Sequence, residues 1–296
     1  MNLTRPVLAT PVQTKGRAWT RFLRHRLALP SLVLLVAFAF IGVAAPWVAP
    51  HDPYNLATSA EGNIYFESPP SREFWLGTDA IGRDVISRLI YGTRISLAIG
   101  LSASLLALVV GTSLGVLAGY RGGVTDVLLS RLTDAVAAFP SLFLILTISS
   151  FVSPSLFNVV AVIGFLSWVP TFRLMRAETL KLRRQEFVEA ASALGSRDVQ
   201  IMVRHILPNA VAPIIVQTTL GVADAILTES ALSFLGLGVQ QPLASWGTML
   251  ADARTITVLQ NQPWLWLPAG FAILSTVLAI NFLGDGLRDS LNPREA

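Results

Sequence analysis

The sequence predicts an all-α polytopic membrane protein with six transmembrane helices: one N-terminal helix followed by a five-helix core. Two observations carry this prediction. The 296 residues are 53% hydrophobic and only 14% charged, whereas soluble domains have about 25% charged residues. In addition, the apolar residues are gathered in runs close to the roughly 20 residues that a helix needs to cross a bilayer.

The six predicted spans differ in how clearly the sequence marks them. The third and fifth contain ionisable residues and prolines, and Pro140 predicts a kink in the third. The first could instead be the apolar region of a signal peptide, but its run exceeds the usual 7–15 residues or so. The predicted spans are Ala28–Val48, Ile95–Gly119, Val127–Val152, Ser155–Phe172, Ile206–Leu235 and Trp264–Leu283.

These spans divide the chain into four regions. Residues 1–27 form a predicted cytoplasmic tail, 28–94 the N-terminal transmembrane helix and an external segment, 95–287 the core, and 288–296 a cytoplasmic C-terminal tail. Basic residues set this orientation, because cytoplasmic loops carry an excess of Lys and Arg. Six basic residues precede the first span, and seven lie between residues 173 and 204.

The external segment departs from this charge rule. It carries four arginines, offset by six acids. Within it, Gly77-Thr78-Asp79 predicts a turn and an N-cap that begins the helix leading into the second span. Asp79 and Asp84 lack the spacing of a calcium loop, which favours capping and surface charge over a cation site.

Several classes of chemistry find no support in the sequence. There is no cysteine, and the three histidines are scattered, so no metal site is expected. Neither lysine follows the glycine-rich loop that binds nucleotide phosphates, so the chain should not hydrolyse ATP itself. Signatures of nucleophilic catalysis and of nucleic-acid binding are also missing. We therefore predict no catalytic, cofactor or metal residues.

One polar stretch, "EFVEAASALGSRDVQIMVRHILPNA", lies between the fourth and fifth spans. Apolar residues at helical spacing predict a first helix that ends at Gly195, and Ser196 is the expected N-cap of a second. The pattern allows two uses, on a lipid surface or in a groove of a cytoplasmic partner. The two expected stripes are Phe187, Ala190, Ala191 and Leu194, then Val199, Met202, Val203 and Ile206.

The same stretch resembles the EAA signature of ABC importer permeases. Glu189-Ala190-Ala191, Gly195 and Leu207-Pro208 stand at the signature's spacing, and His205 stands where the signature has isoleucine. Other stretches resemble the C-type permease subunit of the dipeptide, oligopeptide and nickel importers. They are "APWVAPHDPY", "LGTDAIGRDVISRLIYGTRISL", "ALSFLGLGVQQPLASWGTMLADAR" and "NFLGDGLRDSLNPR".

The resemblance implies a five-helix permease core with a cytoplasmic EAA coupling helix, in a multi-pass protein of the bacterial or archaeal plasma membrane. It also implies a second permease subunit, two cytoplasmic ATPase subunits that bind ATP and magnesium, and an external solute-binding protein. Residues of the EAA region would then dock into the ATPase subunits. These are Glu186, Phe187, Glu189, Ala190, Ala191, Leu194, Gly195, Leu207 and Pro208.

Ionisable residues inside predicted spans are candidates for the transport pathway. Asp134 is three residues after Arg131, so the two could pair on one helix face. Asp224 lies in the fifth span, where it could face the pathway. Glu229 lies near the predicted outer end of that span, where water could solvate it.

The leading hypothesis is a subunit that forms half of a peptide pathway driven by separate ATPases. One alternative is a permease for nickel or another small solute. Another is an ion-coupled secondary transporter, with Asp134, Asp224 or Glu229 as the carrier. A membrane scaffold or channel is a third class of hypothesis.

Overall fold

The computed structural model of the chain describes Phe22, residues 26–58 and residues 64–291. Most of the predicted N-terminal tail and the end of the predicted C-terminal tail therefore lie outside the described residues, as do residues 59–63 of the predicted external segment. Two isolated β-bridges, Thr58 with Ile64 and Thr78 with Asp84, are the only extended pairings in the described part of the chain.

The described residues fold into α-helices, most of them joined by short turns, while a long non-helical segment separates Val48 from Val85. A π-helical turn, Met202–Ile206, joins α9 to α10, and a 3-10 turn, Ala251–Arg254, follows α12. In chain order the helices are α1 Ala28–Val43, α2 Ala45–Val48, α3 Val85–Arg121, α4 Gly123–Ala137, α5 Ser141–Phe151, α6 Leu156–Leu166, α7 Val169–Leu182, α8 Glu186–Ala193, α9 Asp198–Ile201, α10 Leu207–Asn209, α11 Val211–Phe234, α12 Trp246–Leu250, α13 Ile256–Asn261 and α14 Pro263–Leu291.

The helix lengths confirm an all-α membrane protein. Helices α3, α11 and α14 are each long and apolar enough to cross a membrane, and α4–α5 and α6–α7 add two more spans if each bent pair is one. Helix α1 has 16 residues, fewer than the roughly 20 that span a bilayer. The count of six spans therefore stays a prediction.

Helix α3 begins earlier than the sequence indicated, at Val85 rather than Ile95. Asp84 is its N-cap, and one carboxylate oxygen accepts the backbone N–H of Ser87 at 2.9 Å. The prediction that Asp79 caps this helix was wrong. Asp79 instead closes a turn of its own, accepting the backbone N–H groups of Ile81 and Arg83 at 3.0 and 2.9 Å.

Glycines on α3 allow α7 to pack closely against it. A β-carbon on Gly115 would lie 2.7 Å from the carbonyl oxygen of Phe172, and one on Gly111 would lie 2.6 Å from the Cβ of Thr171. Small residues bring helix backbones together in this way in lipid, where packing replaces the hydrophobic effect. These glycines therefore serve helix packing within the chain.

The two bent pairs place helix breaks inside the bundle. Helices α4 and α5 meet at 84°, and α6 and α7 at 42°. Pro140 is the N-cap of α5. Proline lacks a backbone N–H and disfavours helical conformation in the preceding residue, so α4 cannot continue through it. The predicted kink at Pro140 is confirmed as a full break.

An apolar cluster joins α11, α12 and α14 around the fully buried Trp246. Val85, from the first turn of α3, also belongs to it. The segment between α11 and α14 therefore packs against the bundle through its own buried apolar side chains.

Candidate functional site

Helix α8 is short and ends by a defined mechanism. Gly195 has φ +81°, and its N–H binds the carbonyl of Ser192 at 3.0 Å, while the N–H of Ser196 binds the carbonyl of Ala191 at 3.1 Å. These two bonds form a Schellman motif, which needs a left-handed residue after the helix. A β-carbon at Gly195 would meet nothing within 4 Å, so backbone conformation alone favours glycine there.

The second half of this stretch starts one residue later than predicted. Arg197, not Ser196, is the N-cap of α9, and the side-chain oxygen of Gln200 accepts its backbone N–H at 3.2 Å. The π-helical turn that follows runs directly into Leu207-Pro208. Proline cannot supply the N–H that a regular α-helical ladder requires, which explains why the helix widens at this point.

Residues 186–210, called here the EAA segment, bury one face. Val188, Ala191, Ile201 and Ile206 form a small core, against which Tyr120 at the end of α3 packs. Leu207 packs in the neighbouring apolar cluster, around Met175 of α7, while Pro208 is exposed. The EAA segment is therefore attached to the bundle through α3 and α7.

The remaining apolar side chains of the EAA segment face outward. Leu194 is 87% exposed, and Phe187, Val199 and Val203 are exposed as well. Glu186, Glu189 and Ala190 are also on the surface. The predicted stripes were therefore partly wrong. Ala191 and Ile206 turn inward with Val188, because the segment must first bury a face on its own bundle.

A polar cleft of about 690 Å³ separates α8 from the end of α3. Glu189 lines it together with Arg121 and Arg183. The hydroxyl of Tyr120 donates to the Asp198 carboxylate at 3.2 Å, and the guanidinium of Arg183 lies 5.8 Å from the Tyr120 ring centre. Both acidic and basic groups thus stand at the junction between the EAA segment and α3.

A second cavity, of about 570 Å³, lies at the two helix breaks. Its walls come from the middle of α3, from both broken pairs and from one face of α11. Gln217, Gly221, Asp224 and Thr228 lie along that face of α11 at helical spacing. Among the described residues that line the cavity, Asp224 alone has an ionisable side chain. We call this the α11 cavity.

The other two candidate pathway acids lie elsewhere. Asp134 is outside the lining of the α11 cavity. Its carboxylate is 3.6 Å from the Arg173 guanidinium on α7. The predicted pairing with Arg131 was therefore wrong, because the bent α6–α7 pair brings Arg173 closer.

Glu229 is 0% exposed, so the expectation of a solvated carboxylate was wrong. It accepts hydrogen bonds from the hydroxyls of Ser233 and Ser245, both at 2.7 Å, and of Ser96 at 3.3 Å. The Ser96 hydroxyl in turn accepts the backbone N–H of Trp246 at 3.1 Å. Hydrogen bonds of this kind offset the cost of burying a carboxylate. They join α3, α11 and the start of α12 at one point.

Glu229 itself was visible in the sequence, but the rest of this network was not. Its serines lie on α3, on α11 and just before α12, and hydrogen-bonded partners are up to 150 residues apart in the chain. The metal prediction meets no contrary finding: within the described ranges, no group of three potential ligand side chains comes together.

Two family models match most of the chain. Residues 111–296 match the model of the binding-protein-dependent transport system inner membrane component. Residues 15–70 match the model of the N-terminal transmembrane domain of oligopeptide transport permease C. The EAA segment falls inside the first match.

Several named proteins are similar to this chain over most of their length. The chain is 42% identical to the dipeptide transport system permease protein DppC of Alkalihalophilus pseudofirmus, covering 96% of this chain and 91% of that protein. It is 41% identical to the di/tripeptide transport system permease protein DppC of Pseudomonas aeruginosa, covering 98% and 95%. It is 38% identical to the oligopeptide transport system permease protein OppC of Bacillus subtilis, covering 94% and 88%.

The fold also has a counterpart among solved structures. A chain of the MetNI methionine ABC transporter, in an inward-facing conformation, superposes with a TM-score of 0.57 at 17% identity. The match covers 69% of this chain and 97% of that one. At this identity the likeness concerns the fold alone.

Proposed function

The chain belongs to the family of binding-protein-dependent transport system inner membrane components, and on this premise we propose that it forms half of a peptide translocation pathway. The relatives named above are permeases for dipeptides, tripeptides and oligopeptides. This similarity favours peptides over nickel or another small solute. It also favours transport driven by separate ATPases over an ion-coupled mechanism, and over a scaffold or channel.

The observation that carries the coupling role is the outward apolar surface of the EAA segment. Some residues of this short segment form a buried core, while four of its apolar side chains are exposed: Phe187, Leu194, Val199 and Val203. Single exposed apolar residues are ordinary, but a grouped set on one short element marks an interaction site. Two short helices held by a Schellman turn also suit insertion into a groove. We assign this surface to ATPase docking.

The remaining EAA residues have distinct places in this proposal. Glu186 and Glu189 lie in the first turn of α8, where acidic groups favour the helix dipole. Ala190 is exposed, and its small side chain would let a partner approach the helix closely. Ala191 packs in the buried core of the segment. Gly195 sets the turn, and Leu207 with Pro208 joins the segment to α11. Movement of the docked segment would reach α3, α7 and α11 through these attachments.

The complete transporter would contain a second permease subunit, two cytoplasmic ATPase subunits that hold ATP and magnesium, and an external solute-binding protein. This chain itself would be no enzyme. It would be a multi-pass protein of a bacterial or archaeal plasma membrane with both termini in the cytoplasm. The domain limits 1–27, 28–94, 95–287 and 288–296 belong to the same proposal.

Copurification tests the docking surface. Leu194→Asp places a charge at the centre of the apolar surface without disturbing the core, because the side chain is exposed. We expect the tagged permease to lose its ATPase subunits while keeping the second permease subunit. Ile256→Asp is the matched control, since Ile256 is also apolar and exposed but lies on α13. Retention of the ATPases by both variants would contradict the assignment.

A further inference from the structure

The Asp224 carboxylate has no partner among the described residues. No hydrogen bond or ion pair there reaches its side-chain oxygens, although its backbone carbonyl accepts the Thr228 hydroxyl at 2.7 Å. Three other acids of the bundle do have partners. Asp126 is bound by Arg176, Asp134 lies near Arg173, and Glu229 is held by serines.

The surroundings of Asp224 offer it no compensating charge. The other side chains lining the α11 cavity are apolar or neutral, with Gln217, Thr218 and Thr228 as its polar neighbours on the same helix. A lone carboxylate at membrane depth is costly and requires pairing or water. The Asp224 carboxyl group thus faces the cavity without a partner among the described residues, and a mobile cation could supply one.

The cavity also has the dimensions of a solute site. Its volume of about 570 Å³ falls within the roughly 300–1,000 Å³ of small-molecule pockets. Apolar walls from α3 and α5 face the polar stripe of α11, so one side suits variable apolar groups and the other a charge. Two helix breaks bound the cavity. Transport sites in membrane proteins are commonly formed by discontinuous helices of this kind.

We propose that Asp224 receives the protonated amino group of the solute as it passes through the pathway. This inference rests on the proposed function and adds a chemical class, solutes with a primary ammonium group. Attraction between ammonium and carboxylate at a half-solvated site would hold the solute briefly without trapping it. No covalent step is involved.

Thiol labelling tests the electrostatic part without requiring transport. The chain has no cysteine, so Thr228→Cys introduces a single thiol one helical turn from Asp224. We compare its reaction with a cationic and an anionic methanethiosulfonate in the assembled transporter, reading the mass of this chain. The cationic reagent should react faster, and adding Asp224→Asn should lower the cation-to-anion rate ratio by about tenfold.

Gln217→Cys provides an internal distance control. Gln217 is seven residues from Asp224, or about 10 Å along the helix, against about 6 Å for Thr228. The effect of Asp224→Asn should therefore be smaller at position 217. An unchanged rate ratio at both positions would overturn the proposal.

Uptake into proteoliposomes tests the link to the solute. With the complete transporter and its wild-type binding protein, Asp224→Asn should reduce maximal dialanine uptake by about tenfold, and Asp224→Glu should preserve most of it. Asp134→Asn is the control acid, because it lies outside the cavity. N-acetyl-dialanine, which lacks the amine, should show no dependence on Asp224, whereas N-acetyl-alanyl-lysine should regain it if a side-chain ammonium is accepted.

The two proposals fail in different ways. If the wild-type transporter imports no dipeptide, the peptide function fails, and the labelling ratio still decides the role of Asp224. If the wild type imports dialanine while Asp224→Asn changes neither uptake nor labelling, the ammonium site is wrong and the peptide function stands.

Discussion

The Asp79 carboxylate binds the Arg83 guanidinium through two nitrogens, each at 2.8 Å, and both side chains are buried. Arg88, also buried, lies 3.3 Å from the same carboxylate. The expectation that Asp79 contributes surface charge was therefore wrong. These contacts also bear on the charge rule, because two of the four arginines in the predicted external segment are paired inside the fold rather than free near the membrane surface.

Removing this carboxylate should destabilise the protein strongly. Asp79→Asn leaves the Arg83 and Arg88 charges buried with weakened compensation, and breaking such a pair costs about 3–5 kcal/mol. The purified subunit in detergent should show a clear decrease in unfolding temperature. Asp52→Asn is the control, since Asp52 is exposed and accepts only a local N–H, from Tyr54. Equal unfolding temperatures for the two variants would contradict the importance of the pair.

Asp252 should make stability depend on pH in the direction opposite to a salt-bridged acid. Burial, reinforced by the Asp79 and Glu67 carboxylates, raises the pKa of Asp252 from 3.8 to about 6, and Arg88 and Arg83 only partly oppose this. An acid with a raised folded-state pKa favours folding while it is protonated. Its contribution is therefore complete below about pH 4 and is lost as the pH rises through about 6.

Asp252→Asn should abolish this dependence. At pH 7 the variant should be more stable than the wild type by about 1–3 kcal/mol, and the difference should vanish near pH 4. Denaturant unfolding of both proteins across pH 4–7 measures it. A constant difference over that range would show that the carboxyl does not titrate as stated.

The close contact between α3 and α7 should not tolerate a methyl group. In Gly115→Ala the new carbon would lie 2.7 Å from the Phe172 carbonyl oxygen, a backbone atom that cannot rotate away. Separation of the helices should cost about 1–3 kcal/mol. Gly270→Ala is the matched control, because Gly270 is also helical and its nearest neighbour would be 3.6 Å away. Thermal unfolding should separate the two variants, and similar losses would argue against the packing explanation.

Substitutions at Gly195 should be limited by backbone conformation rather than by steric contact with neighbouring atoms. Gly195→Ala forces a β-carbon into a left-handed conformation, at a cost of about 1–2 kcal/mol, whereas Gly195→Asn should cost less because asparagine tolerates this region. Limited proteolysis of the EAA segment should be fastest for alanine, intermediate for asparagine and slowest for the wild type. Any other order would indicate that the Schellman turn does not control the segment.

Local chemistry explains which parts of the fold the sequence predicted. Apolar length located the main helices, Pro140 located a break, and Gly195 located the end of α8, since each effect acts within a few residues. Some errors were local shifts of a helix start, and two others depend on contacts made outside the helix concerned. Asp134 lies near Arg173 rather than Arg131, and Ala191 is buried beside Ile201 rather than exposed. Such contacts depend on how the bent helices pack.

The same limit applies to the candidate site. The EAA spacing and the position of Asp224 were both visible in the sequence, because one is a local motif and the other an acid in an apolar run. The α11 cavity was not, since its walls come from α3, α11 and two helix breaks. The spacing of apolar residues indicates the faces of single helices, and it does not show how several helices enclose a cavity.

Helix α3 has 37 residues, or about 55 Å at 1.5 Å per residue, which exceeds the roughly 30 Å hydrocarbon thickness of a bilayer. Near one end it carries Arg88, bound to the buried Asp79, and near the other Tyr120, packed on the EAA segment. Because α3 is continuous over this length, its two ends cannot move independently. A tilt imposed at the Tyr120 end would also displace the Arg88 end, so the two ends of the bundle would change position together.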